Sequence, residues 1–326
     1  MFDDVLAHLV LAHLASQEFP QQGYTSGWCY QRVSGGANNL LYKAVRGHQQ
    51  VAIKFTPRDE RQRAAREYYA LQAIQQTGYV LAPKALYLDT TTFVYPVMVQ
   101  TWLEGEVKQQ PPLTDGDWTR LLEHFLTIHS ITSDKLNDHY KNNLQPAALT
   151  AFSMDDAVNL VNAQLAKSPA SQELTNTTAR LSQLTITTPR QQPCLCRTDS
   201  NILNLIWQTD TLYSVDWENS GWGNPLFELA ELTAHPSYLD VDDARWHHFV
   251  DAYVHSLGVP ELAKPIFVYR HVILVWWLAR LARYLYELPL GRDTRLAQAA
   301  FMHLEDMQYK FDVYKNRVAQ SEEVLL

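Results

Sequence analysis

The sequence predicts an α+β protein with a small, strand-rich N-terminal part and a mostly helical C-terminal part. Two apolar runs, at 28–33 and 40–45, flank a short segment that contains two glycines, which is typical of a β-hairpin. Stretches with helical patterning follow near 243–257, 266–287 and 293–319. The chain has 326 residues, 46% hydrophobic and 19% charged, and this composition is typical of a folded soluble protein.

The first residues of the chain predict an amphipathic helix. Apolar side chains recur at helical spacing between residues 2 and 16: Phe2, Val5, Leu6, Leu9, Val10 and Leu14. The chain starts with an acidic Asp3-Asp4 pair, whereas a signal peptide would start with basic residues. We expect the apolar stripe to pack on the small, strand-rich N-terminal part of the protein. The alternative is a helix that binds a partner.

A glycine-containing hairpin and a lysine-bearing strand come next. Gly35 and Gly36 lie between the two apolar runs, and glycine lets a backbone approach a ligand closely. An ordinary hairpin turn fits the same residues. A short β-rich run then carries Lys54 among apolar residues, a place where a lysine usually reaches toward the surface. Residues 58–76 predict a helix with Glu67 on or near its packed side.

The boundary between two lobes is predicted near residue 104. Residues 94–103 form a run typical of a strand, and Glu104-Gly105-Glu106 follows as a natural hinge. We therefore expect an N-terminal lobe over 1–104 and a C-terminal lobe over 105–326.

The C-terminal lobe is predicted to be mostly helical. Thr114 or Asp115 is a candidate cap for the first of its helices, and another helix is expected over 155–166. The polar stretch 133–145 predicts a loop. No helix or strand is assigned to 168–192, which is rich in Thr, Ser and Gln.

The most informative pattern combines Asp199, Asn204 and Asp216. Two short apolar runs between Asn204 and Asp216 predict a hairpin with a tight turn at Thr209-Asp210. This turn places Asn204 opposite Val215, and a slip of one residue places it opposite Asp216. Either register brings the amide and the acid to the same end of the hairpin, with Asp199 just outside it. Such oxygen ligands suit Mg2+, although a surface hairpin with polar ends fits the same three residues.

These parts together match the set that phosphoryl transfer uses: a glycine hairpin, a strand lysine, a helix glutamate, Asp-x4-Asn and a strand-end Asp. The chain resembles the aminoglycoside phosphotransferase and choline kinase superfamily. That family commonly has His-Gly-Asp-x4-Asn and then Ile-Asp-Trp-Glu, and the corresponding stretches here begin at Arg197 and Val215. Gly223-Asn-Pro and Glu228-Leu-Ala stand where the family has Gly-Asp-Pro and Asp-Leu-Ala. We expect a structural role for both substituted residues, Asn224 and Glu228.

The resemblance covers about residues 32–235 and implies a bilobal protein-kinase-like fold, with a small antiparallel-sheet N-lobe and a mostly helical C-lobe. It also implies a catalytic residue and a metal site. Asp199 would accept or orient the proton of the attacking hydroxyl, and Asn204 and Asp216 would hold Mg2+.

The resemblance also implies an ATP site in the N-terminal lobe. Lys54 would contact the α- and β-phosphates and would be held by an ion pair with Glu67. The Gly35-Gly36 loop would cover the phosphates with backbone N–H groups. Gln100, Thr101 and Trp102 are the candidates for the edge that binds adenine.

Two classes of function follow from this resemblance. The first is a Mg2+- and ATP-dependent kinase for a small molecule. The second is a silent nucleotide-binding protein that acts through a partner, because Arg197 and Thr198 replace the family's His and Gly, and Asn201 replaces a frequent His. Protein phosphorylation is disfavoured, since Trp217-Glu218 rather than Phe-Gly follows the strand-end aspartate.

Charge and cysteine content limit the partners and the compartment. The net charge of −8 disfavours nucleic acid. Three cysteines without zinc spacing fit a reducing cytoplasm. The apolar run 266–279 is too short and too interrupted to cross a membrane, so we expect a buried helix.

The acceptor remains open from sequence alone. Choline, an aminoglycoside, homoserine, a sugar amine or another alcohol would each fit. Five acids are candidates for holding an amine, and for each a structural role fits as well: Glu218, Glu231, Asp240, Asp242 and Asp243.

Overall fold

A computed structural model of the protein describes residues 4–33, 39–167, 169–186, 191–291 and 304–325. Contacts divide the chain into two compact units. The first comprises Met1–Lys108, Ile131–Ala148 and Leu203–Gly221, and the second comprises Gln109–Ser130, Leu149–Ile202 and Trp222–Leu326. The lobe boundary at residue 104 stays a prediction.

The first unit is built on a six-stranded antiparallel sheet with strand order β1-β2-β3-β4-β6-β5. Helix α1 (Asp4–Ser16), helix α2 (Arg63–Thr77) and the short helix α4 (Asp138–Asn143) belong to the same unit. The strands are β1 Gln22–Thr25, β2 Trp28–Val33, β3 Leu40–Arg46, β4 Gln49–Phe55, β5 Ala85–Asp89 and β6 Val97–Thr101.

Helix α1 packs on this sheet as predicted, but with a different apolar face: Val10 and Leu14 of the predicted stripe are buried, Leu9 is exposed, and Leu11 is buried instead. Phe2 lies outside the described residues. Val10, Leu11 and Leu14 are fully buried in one cluster with Trp28 and Phe55. Because these side chains recur at helical spacing, one face of the helix covers the sheet core.

A separate hairpin in the first unit has the predicted register. Strands β8 (Leu205–Trp207) and β9 (Leu212–Ser214) pair with Trp207 opposite Leu212. The Val215 N–H donates to the Asn204 carbonyl oxygen at 2.9 Å, so the two-residue turn at Thr209-Asp210 is confirmed and the slipped register is excluded.

The second unit is mostly helical. Thr114 caps α3, as predicted, because its hydroxyl accepts from the Asp117 N–H at 3.1 Å. Strand β7 (Cys194–Cys196) pairs with β10 (Gly221–Gly223), whose last two residues belong to this unit. The helices are α3 Asp115–His129, α5 Met154–Leu165, α6 Gln172–Arg180, α7 Pro225–Ala234, α8 Asp243–Ser256, α9 Ala263–Glu287 and α10 Leu304–Leu325.

Several helices differ from the sequence prediction. Helix α10 covers Leu304–Leu325 rather than 293–319, and residues 293–303 of that prediction lie outside the described residues. The stretch 133–145 is not entirely a loop, because α4 forms within it, capped by the Asn137 side chain. Helix α6 forms in the segment to which no element was assigned, capped by Ser171. Helix α2 starts at Arg63 rather than near residue 58, since Gln62 adopts a left-handed conformation with φ 49°.

Helix α9 is a long helix with many buried apolar side chains. Within the described residues, the stretch Pro260–Leu290 that contains it is long and apolar enough by composition to cross a membrane. Its apolar window is 72% buried inside the protein, as in a core helix.

We predict that Gly221→Ala destabilises the protein by about 1–3 kcal/mol, because a Cβ there would overlap backbone. It would lie 2.1 Å from the Gln145 carbonyl oxygen and 2.9 Å from the Ala147 nitrogen. Thermal unfolding measures the effect. The control is Gly116→Ala in α3, whose Cβ would find only the Thr114 hydroxyl, at 3.9 Å. Equal melting temperatures for the two variants would contradict the close approach.

Candidate active site

Lys54 is buried at the centre of a charged cluster in the first unit. Its ammonium donates to Glu67 Oε2 at 2.6 Å and also to Asp216 Oδ1. Only 7% of the Lys54 side chain is exposed and none of Glu67, whereas Asp216 is 31% exposed. The structure therefore places three of the predicted site residues in direct contact.

Local structure explains why these side chains meet. Lys54 lies on β4, where residues 51–55 are all buried. Glu67 is on the buried face of α2. Asp216 follows β9 with φ 62°, a left-handed conformation that aspartate tolerates better than most residues. A lysine and a glutamate buried in this way are stable only when they are paired.

The cluster shifts the pKa of both partners. Burial lowers the pKa of Lys54, but Asp216, Glu67 and Glu218 outweigh burial and raise it above its usual value. Burial raises the pKa of Glu67 to about 7, and the Lys54 ammonium opposes that rise. Lys54 therefore stays charged at neutral pH, as a phosphate ligand must.

Glu218 ties this cluster to two other elements of the first unit. Its carboxylate accepts from Asn39 Nδ2 at 2.7 Å and from Arg63 Nη1 at 3.1 Å. Arg61 lies 3.7 Å from the same carboxylate. Glu218 thus joins the segment after Asp216 to the start of β3 and the start of α2, a role that the sequence did not indicate.

Asn204 and Asp216 provide the oxygen donors expected of a Mg2+ site. Both belong to the first unit, and the β8–β9 register places Asn204 opposite the residue that precedes Asp216. The Asn204 side chain makes no hydrogen bond to any residue that the structure describes. One carboxylate and one amide oxygen fit a Mg2+ ion that takes its other ligands from phosphate and water.

The remaining candidates for the nucleotide site are the glycine loop and the strand β6 with the residue that follows it. Gly35 and Gly36 lie outside the described residues. Gln100 is buried on strand β6, which lies between β4 and the edge strand β5. The Thr101 N–H donates to Lys84 O and the Trp102 N–H donates to Gln50 O, so the sheet already uses both groups. The assignment of adenine to this edge stays a prediction.

Asp199 belongs to the second unit, in the loop that follows β7. Its Oδ1 accepts from the Asn201 N–H at 3.1 Å, which fixes the carboxylate within a turn of the loop. Thr198 has φ 54°, a left-handed conformation at the position where the family has glycine.

Glu228 holds the backbone of this loop by hydrogen bonds. Its Oε1 accepts from the N–H groups of Arg197 and Thr198 at 2.6 and 2.7 Å, and its Oε2 bonds His129 Nε2 at 2.7 Å. Burial raises the pKa of Glu228, but the hydrogen bonds from His129 and Thr198 outweigh burial, and the net pKa is low. An ionised Glu228 thus takes the structural role expected for it, while His129 was missed because nothing near it in the sequence indicates a partner.

Helix α7 starts at the other substituted family position. The Asn224 side chain accepts from the Leu226 N–H at 3.0 Å and donates to Ala151 O at 2.8 Å. Asn224 therefore caps the helix, which agrees with the structural role expected from the sequence.

The acids considered for an amine acceptor mostly have internal partners. Glu231 accepts from the Ser200 hydroxyl at 2.5 Å, and burial raises its pKa to about 8. Asp242 caps α8 through the Arg245 N–H. Asp243 pairs with Arg270 at 2.5 Å. These contacts bear out the structural alternative for three of the candidates, and Glu218 is engaged as described above.

His129, Cys194 and Cys196 place their ligand atoms within 4.8 Å of one another. Both ring nitrogens of His129 already have partners, the Tyr253 hydroxyl and Glu228. The three side chains therefore fit a packed core.

Comparisons with known proteins agree with this arrangement. The family model described as "Phosphotransferase enzyme family" matches residues 30–267. No curated protein matches the chain significantly.

Solved structures show the same fold. A candidate aminoglycoside phosphotransferase from Ralstonia eutropha is 12% identical with a TM-score of 0.71, covering 97% of this chain and 98% of that one. Spectinomycin phosphotransferase, solved with ADP and spectinomycin, is 14% identical with a TM-score of 0.59 and 88% coverage of both chains. A choline kinase from Streptococcus pneumoniae is 15% identical with a TM-score of 0.58, covering 97% of this chain and 100% of that one. At these identities the likeness shows the kinase-like fold, which confirms the predicted fold class.

We predict that Glu231 makes stability fall as the pH rises from about 4.5 to about 8. The unfolded chain releases this proton near pH 4.5 and the folded protein near pH 8, so the folded state binds more protons in that window. The loss is at most about 1.4 kcal/mol per pH unit.

The test compares the thermal unfolding of the wild type and Glu231→Gln between pH 5 and pH 8. Gln keeps the shape and does not titrate, so the variant should gain stability relative to the wild type as the pH rises. Parallel pH profiles would show that Glu231 is not buried in its neutral form.

Proposed function

Since the chain belongs to the phosphotransferase enzyme family, we propose that it transfers the γ-phosphoryl group of ATP to a hydroxyl group of a small molecule. The observation that carries the proposal is the contact of Lys54 with both Glu67 and Asp216. A buried ammonium fixed by a helix glutamate and a strand-end aspartate is the arrangement that kinases use to hold phosphates.

The residues proposed to bind the nucleotide belong to the first unit. Lys54 binds oxygens of the α- and β-phosphates and neutralises part of their charge, while Glu67 keeps the ammonium in place. Glu218 holds Asn39 and Arg63, so the start of β3 and the start of α2 keep one geometry. The ADP in the spectinomycin phosphotransferase structure supports a nucleotide ligand for this fold.

Asn204 and Asp216 are the residues that would hold Mg2+. When bound, the ion supplies positive charge that offsets the negative charge on the phosphate oxygens. Asp216 also accepts from Lys54, so the same carboxylate links the lysine to the metal-binding position.

Asp199 is the proposed catalytic base. The oxygen of the acceptor hydroxyl forms a bond to the γ-phosphorus, and the bond from that phosphorus to the β,γ-bridging oxygen breaks. The hydroxyl proton goes to the Asp199 carboxylate, and ADP leaves. The Asn201 N–H and the turn that it closes orient this carboxylate.

A silent nucleotide-binding protein is the alternative. Its basis is the replacement of the family's His, Gly and His by Arg197, Thr198 and Asn201. Against it, the backbone N–H groups of Arg197 and Thr198 are held by an ionised glutamate, so the substituted loop is still ordered around Asp199. We propose a cytoplasmic enzyme with a small-molecule acceptor and without nucleic acid or membrane as partners.

We predict that Asp199→Asn lowers acceptor-dependent ATP turnover by about 100- to 10,000-fold, because the variant loses its base. Its Mg-ATP affinity should stay within about threefold of the wild type, because Lys54 is unchanged. Turnover is measured on a panel of amino alcohols, aminoglycosides, sugars and hydroxy acids.

The matched control for this test is Asp210→Asn, in the exposed turn between β8 and β9, which should behave as the wild type. Stimulated turnover in the wild type that Asp199→Asn leaves unchanged would remove Asp199 from the mechanism. Mg-ATP binding without turnover on the whole panel would favour the silent alternative.

A further inference from the structure

Arg280 lies against three aromatic rings on helix α9 of the second unit. Its Cζ lies 5.2 Å from the ring centroids of both Trp276 and Trp277 and 5.4 Å from that of Tyr284. Its Nε donates to the Tyr284 hydroxyl at 2.5 Å. Three rings and one hydrogen bond therefore orient the guanidinium before any ligand arrives.

The outer edge of this guanidinium has no partner among the residues that the structure describes. The Nη groups of Arg280 make no hydrogen bond and no ion pair there, and the residue is half-buried. Arginine presents its Nη groups as a rigid fork that matches a carboxylate or phosphate with two parallel hydrogen bonds. An oriented fork with an open edge is therefore suited to an anion.

Other cations lie close to Arg280. Lys167, at the end of α5, has a lowered pKa because of burial first and then the charges of Arg283 and Arg280. Arg283 pairs with Glu287 at 2.9 Å, and Lys167 bonds the neutral Gln164. Lys167, Arg280 and Arg283 form a cation cluster, in which Glu287 pairs with Arg283.

A continuous series of contacts joins Arg280 to the loop of Asp199. The Asn201 N–H bonds Asp199, and the Ser237 hydroxyl donates to Asn201 Oδ1 at 3.4 Å. The Ser237 N–H donates to His235 Nδ1 at 3.1 Å. The His235 ring meets the Trp277 ring edge to face at 5.5 Å, and Trp277 is one of the rings under Arg280.

His235 adds no charge to the cation cluster. Burial, and then the charges of Arg197 and Arg280, lower the pKa of His235 to about 3. His235 is therefore neutral at physiological pH and is close enough to Arg280 to sense its charge.

Three of the four acids considered for an amine in the same unit are engaged elsewhere, and the fourth, Asp240, is exposed and interacts with the charge of Arg317. Glu231 is buried against Ser200 with a pKa raised to about 8, Asp242 caps α8, and Asp243 pairs with Arg270. Arg280 thus offers this unit an oriented positive charge with an open edge, connected by these contacts to the loop of Asp199.

We propose that the acceptor alcohol carries an anionic group, a carboxylate or a phosphate, and that Arg280 binds this group while the hydroxyl is presented to Asp199. The inference rests on the proposed phosphotransferase function and names the class of its acceptor. Arg280 is the specificity-determining residue in this arrangement.

The first test measures binding of probes that share a three-carbon skeleton and differ in charge. They are glycerate, glycerol and 3-amino-1,2-propanediol, with glycerol 3-phosphate as the phosphate counterpart of glycerate. Ligand-observed saturation-transfer NMR on the full chain ranks them without requiring turnover. We expect the anionic probes to bind at least about tenfold more tightly than the neutral and cationic ones. Whichever of glycerate and glycerol 3-phosphate binds more tightly identifies the carboxylate or the phosphate as the preferred group.

The second test repeats the measurement with Arg280→Gln and with Arg283→Gln as the matched control, one turn further along α9. Arg280→Gln should weaken binding of the anionic probes by about 10- to 100-fold, the effect of losing a charged hydrogen-bond donor. Arg283→Gln should stay within about threefold, because Arg283 is already paired. Equal melting temperatures would show that both variants are folded.

Absence of any preference for the anionic probes, or equal behaviour of the two variants, would overturn the inference. Turnover of the same probes separates it from the proposed function. Phosphorylation of cationic acceptors only would leave the kinase in place and remove the anionic acceptor. Arg280-dependent anion binding without phosphorylation of any acceptor would leave the anion site in place and count against the kinase.

Discussion

Burial of the Lys54 ammonium is the constraint on which the first unit depends. A buried cation must be paired, since its desolvation costs several kcal/mol, and here a helix acid and a strand-end acid meet that need together. Helix α2, strand β4 and the segment after β9 must therefore keep one arrangement. Glu218 extends the arrangement to Asn39 and Arg63. The charge that the fold must neutralise is the charge that the proposed reaction uses.

In the second unit, two buried acids, Glu228 and Glu231, need partners. Glu228 is ionised because two backbone N–H groups and His129 bond it, and this fixes the approach to Asp199. Glu231, with a single hydroxyl partner, has its pKa raised by burial. Two glutamates one helical turn apart thus differ in charge because their hydrogen-bond partners differ. With both glutamates committed to the fold, the proposed anionic acceptor depends on the oriented charge of Arg280.

The sequence predicted those features that local patterns determine. The β8–β9 register followed from a two-residue turn between apolar runs, and the start of α3 followed from a capping threonine. The helices α4 and α6 were missed because short polar helices lack an apolar period. Glu218 and Arg280 could not be assigned, since their partners come from tertiary packing and not from the neighbouring sequence: Asn39 and Arg63 lie more than 150 residues from Glu218.

The most direct test of the account is calorimetric titration of Mg-ATP into the wild type and Lys54→Met, with Lys84→Met as the exposed control. The account predicts binding by the wild type and by Lys84→Met, and a loss of about 10-fold or more in Lys54→Met, because a charged hydrogen-bond donor to phosphate is removed. Circular dichroism would establish that the variants are folded. No Mg-ATP binding by the wild type, or equal affinity in a folded Lys54→Met, would contradict the claim that the Lys54 cluster is a nucleotide site.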